Sequence, residues 1–503
     1  MYMSKKDVFF QKMDELGLAL TYDDVRLRTS YSESMPDDVS LSTRFSRRVP
    51  LKMPLVSAAM DTVTTSKLAI EMANLGGLGI IHRNFSPKEQ AKEVATVKLY
   101  LNGIVDTPIC VRDTDTIESI LRRRDEKGYT FHSFPVIDAQ GKLVGIITKN
   151  DFEFCDDARK TAREVMASNL VLVGSRVGSE DAYAIMKKNK KKVLPVVKNS
   201  GEVDGMYTFK DLKRLFSPGI TNYNVDERNQ LRVGAAIGVG NDALERASLL
   251  LEKRVDVLVI DTAHGDSKKV IDTVKQLKGI YGDKVDIVAG NVSEAASTEH
   301  LIAAGADGIK VGQGPGSICT TRIIAGIGSP QVSAVYACAR IASVHGVPVC
   351  ADGGVKYSGD IPIAIGAGAS SVMLGSMLAG TEEAPGDLVF FEGRQWKQYR
   401  GMGSLGAMEA NKSSRTRYGQ ADVERKNDLV PEGVEGLVPY KGSVRNVLVQ
   451  YLGGLRRGMG YTGTTTIQEL QDRADFIRLS PAGSAESHPH DVKITKESPN
   501  YNI

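Results

Sequence analysis

The order of residues predicts an α/β protein, a (β/α)8 barrel into which a smaller, internally repeated module is inserted. Three observations lead there. There are eight short apolar runs, six of which end in Gly, Asp, Asn or Ser; stretches of helical period separate most of them, and one intervening segment repeats itself at an offset of 60 residues. The runs are continuously apolar rather than alternating, as parallel strands covered on both faces must be. A doubly wound open sheet is the competing architecture.

The runs at 53–59 and 77–81 come first, and those at 232–238, 255–261, 285–291, 307–312, 347–353 and 370–376 follow after a gap. Between them, residues 242–254, 267–280, 293–304 and 331–345 carry apolar side chains at helical spacing. The chain has 503 residues, of which 42% are hydrophobic and 25% charged, the balance of a soluble globular protein rather than a disordered one. No apolar run approaches the roughly 18 residues of a membrane span. The start, Met1-Tyr-Met-Ser-Lys-Lys-Asp7, lacks the apolar core of a secretory signal. The net charge of +3 offers no electrostatic case for nucleic acid or a membrane surface. Five scattered cysteines form no CxxC pair and no zinc spacing, so the expected compartment is the reducing cytoplasm.

The gap holds the repeat. Phe134-Pro-Val-Ile-Asp138 recurs as Leu194-Pro-Val-Val-Lys198, and Gly145-Ile-Ile-Thr-Lys-Asn-Asp151 as Gly205-Met-Tyr-Thr-Phe-Lys-Asp211. Each unit reads as strand, helix, strand, tight turn, strand, helix. Residues 106–218, with repeats at about 106–160 and 166–218, resemble a tandem pair of cystathionine-β-synthase-type (CBS) domains. That resemblance implies a regulatory module in which Thr148, Asp151, Thr208 and Asp211 meet the ribose of purine nucleotides. The alternative is that the two Asp residues simply cap helices. The cluster Lys187-Lys-Asn-Lys-Lys-Lys192 reads as a solvated helix end.

The remaining segments, 1–105 and 219–503, belong to the barrel, whose active site is expected at the C-terminal strand ends. These are Ser57, Asp261, Asn291, Lys310-Val-Gly312, Asp352-Gly-Gly354 and Gly375-Ser376. The loops after the seventh and eighth strands are where barrels often bind phosphate through backbone N–H groups. Glycine is unusually dense here, with 21 in the 120 residues from 301 to 420 against 7 in the 113 from 106 to 218. Glycine at that density brings backbone close to something. The sharpest feature is Gly312-Gln-Gly-Pro-Gly-Ser-Ile-Cys-Thr-Thr321, which presents Cys319 on a glycine-rich loop. A thiolate there is a strong nucleophile. Cys338 and Cys350, flanked by apolar residues, read as core.

Five motifs then coincide: GPGSICTT at 314–321, SAAMD at 57–61, DTAHG at 261–265, ADGG at 351–354 and YRGMGSLGAM at 399–408. Together they resemble the IMP dehydrogenase family over essentially the whole chain, a TIM barrel with an inserted CBS pair. The resemblance implies oxidation of IMP to XMP with NAD, the committed step of guanine nucleotide synthesis. In it Cys319 adds to the purine, hydride leaves, and the covalent thioimidate is hydrolysed. It implies a mobile flap at about 406–436 carrying Arg417 and Tyr418, with Arg417, or Thr321 and Glu432, activating water.

It also implies a binding set. Gly353, Gly354, Gly375, Ser376 and Tyr399 would hold the phosphate with Ser317 near, and Asp352 would take the ribose hydroxyls. Ser57, Gly401, Met402, Gly403 and Glu432 would flank the base, while NAD would lie across Asp261, Gly312 and Gly314 with Asn291 near the reacting centre. Potassium would sit on carbonyls of Gly314, Gly316 and Cys319, completed by Glu486, Ser487 and His488 of a neighbouring subunit in a homotetramer or octamer. Zinc is rejected, because the His488/His490 pair lacks a third clustered ligand. Gln313 stands where an apolar residue is common, and the role of His264 is open. GMP reductase is the nearest relative and typically lacks the insertion and the long flap. An inactive nucleotide-sensing protein is a rival of another class, against which the intact Cys319, Thr321, Arg417 and Glu432 argue.

Overall fold

The computed structural model describes residues 4–501 other than 34, 102, 128, 130, 217–221, 424 and 497. Eight parallel strands close into a barrel: β1 (Leu55–Ser57), β2 (Leu78–Ile81), β3 (Gly234–Ile237), β4 (Val257–Asp261), β5 (Asp286–Val292), β6 (Gly308–Val311), β7 (Val349–Asp352) and β8 (Ser371–Leu374). Each pairs with the next in chain order, and β8 returns to β1 through Val372↔Leu55 and Leu374↔Ser57. Every strand falls within a run that the sequence marked, except that β5 continues one residue further, to Val292. The open sheet is thereby excluded.

The helices obey the same local rules. Lys268–Tyr281 starts on Ser267, whose hydroxyl accepts from the Val270 N–H, and stops at Gly282, where φ is 56°. It buries Val270, Thr273, Val274 and Leu277, an i, i+3, i+4, i+7 stripe that faces the barrel. Inside, Val56, Ile80, Val257, Val259, Val288 and Met373 form one cluster with Phe45, Val49 and Leu51 from the hairpin Thr43–Arg44/Pro50–Leu51. Each such side chain contributes roughly 1.5–3 kcal/mol on burial. Ser46 Oγ donates to Asp286 Oδ2 at 2.6 Å and Arg47 N to the Asp307 carbonyl at 3.0 Å, so the hairpin plugs the N-terminal end of the barrel. The opposite end stays open for chemistry. Cys350 and Cys338 are fully buried, and burial pushes both thiols up to about 12, as inert core residues.

A three-stranded antiparallel sheet, β9 (Leu388–Phe391), β10 (Arg394–Arg400) and β11 (Glu435–Pro439), stands beyond β8. The flap runs between β10 and β11. No helix among the described residues is long and apolar enough to cross a membrane.

Residues 99–221 form a second compact unit, the remainder being 1–98 with 222–503. In the unit, Val111–Arg112, Phe134–Ile137 and Leu143–Ile147 make one sheet, and Val193–Val197, Val203–Thr208 and Ile104–Val105 another. Short pieces of chain cross between the two halves. Val105 pairs with Met206 of the second repeat, and Ala167 bridges Ile146 of the first. Two separate cores result, one around Ile120, Phe134 and Val136, the other around Met186, Leu194 and Tyr207.

Candidate active site

The C-terminal strand ends converge on a cleft of about 400 Å³. Asp261, Asn291 and Gly312 line it with the loop residues Gly314, Gly316, Ser317, Cys319 and Thr321. Across from them stand Asp352, Gly353, Gly354, Gly375 and Ser376, and the far wall holds Tyr399, Gly401, Met402, Arg417, Tyr418 and Glu432. Residues spread over 172 positions of sequence between Asp261 and Glu432 thus share one space.

Cys319 is half-buried at the mouth of its loop. The Gly316 carbonyl accepts its N–H at 3.0 Å, a turn that holds the sulfur forward. Sγ–H donates to Thr321 Oγ1 at 3.2 Å, and that hydroxyl donates to Glu432 Oε2 at 2.7 Å. The chain of donors runs in one direction, from thiol to hydroxyl to carboxylate. It is kept in register by backbone: Thr320 N–H donates to the Glu432 carbonyl at 2.9 Å, Val434 N–H to the Ile318 carbonyl at 3.0 Å, and Cys319 bridges Gly433.

In the cleft wall, four of the expected strand-end residues join into a charge cluster, a linkage that the sequence reading did not make. Lys310, on β6, is 2% exposed, with Nζ 2.9 Å from Asp261 Oδ1 and 2.6 Å from Asp352 Oδ2, and it also donates to Asn291 Oδ1. Asn291 Nδ2 donates to the Gly312 carbonyl at 2.7 Å and to Asp352 Oδ2 at 3.0 Å. Burial opposes the charge of both Lys310 and Asp261, but their mutual attraction prevails. The lysine is held above its ordinary range and the carboxyl below it, the latter helped most by Arg417. A lysine inside an apolar strand was the available signal, since it must either reach solvent or find carboxylates.

The structure shows what some of these glycines bring the backbone close to. A Cβ on Gly312, where φ is 146°, would fall 2.1 Å from the Asp352 carbonyl, and one on Gly403 would fall 2.6 Å from the Tyr418 ring. Several of them therefore pack loop against loop around the cleft, rather than loop against ligand. Gly316 is an exception, with nothing nearer its missing Cβ than the Cys319 side chain at 3.7 Å.

The flap is docked. It folds in part as two short helices, Leu405–Ala410 and Lys412–Arg417. Asn411 Nδ2 donates to the Asn84 carbonyl at 2.7 Å, Gly406 N–H to Glu435 Oε1 at 2.7 Å, and Val430 N–H to Gln420 Oε1 at 2.8 Å. Arg417 reaches into the cleft and pairs with Asp261. Burial works against its charge, but Asp261 and the neighbouring Tyr418 raise the guanidinium above its ordinary range. Burial pushes the Tyr418 phenol up to about 12.

Other expected residues lie elsewhere. Ser57 is fully buried, its Oγ accepting from Thr64 Oγ1 at 2.9 Å, one residue short of the cleft wall formed by Ala58 and Ala59. Gly403 sits one layer behind, under Tyr418. Glu486, at the end of the helix Pro481–Glu486, Ser487 and His488 were expected to serve a neighbouring subunit and do not line this chain's own cleft; His488 Nδ1 is 2.9 Å from the Tyr501 hydroxyl. No group of three or more His, Cys, Asp or Glu among the described residues could hold a metal. In the second unit, Thr148 N–H and Oγ1 both donate to Asp151 Oδ2, at 2.7 and 2.8 Å, and Thr208 Oγ1 donates to Asp211 Oδ2 at 2.6 Å. Both pairs cap their helices in this structure. Gln313 is held by Ser293 Oγ at 2.7 Å and lies 3.1 Å from His264 Nδ1, which places both on the Asp261 side.

His82, just past β2, gives the site a pH limit. It is 3% exposed, accepts the Asn84 N–H on Nδ1 at 3.1 Å, and burial depresses it to about 4. The folded state therefore refuses a proton that the unfolded chain takes up below about pH 6.5. Stability is expected to be complete above that pH and to fall by about 3 kcal/mol as the pH drops towards 4. Denaturant titrations at pH 7.5 and 4.5 should show this loss in the native chain and a smaller one in His82→Gln, which keeps an acceptor for Asn84.

Comparison with known proteins places this geometry. A model of the IMP dehydrogenase / GMP reductase domain matches residues 19–490. The chain is 49% identical to an inosine-5'-monophosphate dehydrogenase of Aquifex aeolicus over 486 residues, 96% of this chain and 97% of that one. It is 48% identical to the enzyme of the same name from Halalkalibacterium halodurans, over 96% and 98%. A solved structure of a GMP reductase variant from Trypanosoma brucei, in complex with guanosine 5'-monophosphate, superposes with a TM-score of 0.84 at 40% identity. It covers 94% of this chain and 98% of its own, so a chain of this length does not by itself separate reductase from dehydrogenase. That corrects the expectation that a GMP reductase lacks the insertion.

Proposed function

The chain belongs to the IMP dehydrogenase / GMP reductase family, and from that premise we propose that it oxidises IMP to XMP with NAD in guanine nucleotide synthesis. The observation that carries this reading is the flap, which brings Arg417 and Tyr418 against the Cys319 loop and meets Asp261 in the cleft. An oxidation followed by hydrolysis needs one pocket to hold a hydride acceptor first and water second. A segment that docks where Asp261 lies can make that exchange. The curated relatives at 48–49% identity carry the same activity in their name.

The residues divide the work as follows. The Cys319 proton passes to Thr321 Oγ1 as the hydroxyl's own proton moves to Glu432. The thiolate adds to C2 of the purine and makes that carbon tetrahedral, so that C2–H can leave as hydride. NAD, when bound, supplies the hydride acceptor. Asp261, Gly312 and Gly314 would hold it, with Asn291 near, and this fits only with the flap withdrawn, since Arg417 now occupies the Asp261 carboxylate. Glu432 then gives its proton to solvent; with the flap returned, water adds to C2, one of its protons leaves through Thr321 to the freed Glu432, and the adduct expels Cys319 as the thiolate, which takes that proton back as XMP forms. Arg417, held charged by Asp261, orients and polarises that water rather than taking its proton.

Asp352 and the loops at Gly353–Gly354 and Gly375–Ser376 receive the ribose and phosphate, with Ser317, Tyr399, Gly401 and Met402 closing around them. Potassium suits the carbonyl oxygens of Gly314, Gly316 and Cys319, a hard donor set, completed by Glu486, Ser487 and His488 of a second chain in a homotetramer. Purine nucleotides bind the CBS pair in the cytoplasmic enzyme, where Thr148, Asp151, Thr208 and Asp211 give up their caps to a ribose. Two assays test the main reading: IMP with NAD and K+, followed by NADH absorbance, and GMP with NADPH. NADH formation is expected only in the first. Turnover confined to GMP with NADPH would assign the reductase instead.

A further inference from the structure

Backbone N–H groups at Gly353–Gly354 and Gly375–Ser376 carry no formal charge, whereas a nucleoside monophosphate brings about −2. We propose that Lys441 supplies the missing cation: it is a phosphate-binding residue at the β8 end of the cleft and selects a nucleoside monophosphate over the bare nucleoside. The inference rests on the reading of the cleft as a nucleotide site.

Lys441 follows β11 and is tied to the β8 loop twice. Its N–H donates to the Gly380 carbonyl at 2.8 Å, and a Cβ on Gly380 would lie 3.5 Å from Lys441 Cγ, so the stem runs along that loop. It lines the cleft together with Gly375, Ser376 and Met377. Nζ donates to the Tyr451 hydroxyl at 3.3 Å, and that hydroxyl donates to the Met377 carbonyl at 3.3 Å. Tyr451 is 7% exposed, and burial holds its phenol neutral, so it fixes the ammonium without balancing its charge.

The deeply buried amines of the barrel are compensated. Lys310 has Asp261 and Asp352, Lys98 has Asp226 and Asp256 at 3.0 and 2.6 Å, and Lys397 donates to the Thr381 and Ala384 carbonyls. No ion pair among the described residues includes Lys441, and burial alone acts on it, pushing its ammonium down. A half-buried cation without a carboxylate is costly unless an anion arrives. A phosphate on the Gly375–Ser376 loop is that anion, and the Tyr451 hydroxyl fixes the head group beforehand.

Calorimetric titration of the full chain with IMP and with inosine tests this in the wild type, Lys441→Gln and Lys441→Arg. Lys441→Gln is expected to weaken IMP binding about tenfold or more, the loss of one charge-assisted contact. Inosine binding should not change, and Lys441→Arg should restore most of the IMP affinity. Unaltered IMP binding by Lys441→Gln overturns the inference alone, as does an equal loss for IMP and inosine. Failure of the wild-type chain to bind IMP overturns the functional reading and this inference with it. A measurement on the wild-type chain serves if Lys441→Gln does not fold: amine labelling of Lys441, followed by mass spectrometry, should be slowed by IMP and not by inosine. Equal labelling under both conditions would overturn the assignment.

Discussion

Cys319→Ala is expected to lose IMP turnover by about 10⁴-fold or more, the scale seen when a nucleophile is removed from a catalytic relay. IMP binding should survive within a few-fold, because Sγ makes one hydrogen bond, to Thr321, and packs no core. Thr321→Ala should behave differently. It interrupts the path to Glu432 for both the thiol and the water but leaves the sulfur, whose proton can still pass to solvent, so rapid mixing should show a slowed first equivalent of NADH followed by still slower steady turnover. A Cys319→Ala enzyme that still makes NADH, or a Thr321→Ala enzyme with no slowing after the first equivalent, would contradict the roles assigned here.

Lys310→Met is expected to be the most destabilising single change near the cleft. It leaves the buried Asp261 with Arg417 alone and the part-buried Asp352 without the cation the two share, a loss of about 3 kcal/mol. The pH dependence carries a signature. In the wild type the Asp261 carboxyl is held below its ordinary range, so its contribution is present above about pH 4 and is lost as the pH falls through the folded value. Without Lys310, burial acts with less opposition and the carboxyl rises. The deficit of the variant should then be largest at pH 8 and shrink towards pH 5, as a protonated Asp261 no longer needs a partner. Denaturant midpoints across that range read it directly, and a deficit independent of pH would show that Lys310 acts through packing instead.

The barrel was legible because its strands are short, continuously apolar runs, most of which stop at Gly, Asp, Asn or Ser, as parallel strands covered on both faces are written. The Cys319 loop was legible because three glycines and a proline before a cysteine exclude a core strand. Lys310 was in view at the end of β6, yet a single lysine in a strand does not say which carboxylates will come to it; Asp261 and Asp352 lie 49 and 42 residues away. Ser57 shows the converse error. It stands at a strand end, but its hydroxyl is committed to Thr64 behind the wall. The strand that completes the second repeat's sheet escaped detection for another reason. Ile104–Val105 is a two-residue strand, too short to have a period, and only its partner in the fold defines it.

The contact between Arg417 and Asp261 has a consequence for affinity. Any molecule that needs that carboxylate can bind only the fraction of protein in which the flap has swung away, so its apparent dissociation constant is the intrinsic one divided by that fraction. The flap is thus an internal competitor whose concentration cannot be diluted. Two proteins with identical cleft walls can respond quite differently to the same small molecule if their flaps differ only in how tightly they close, and substitutions at Asn411, Gln420 or Glu435, none of which lines the cleft, would set that response.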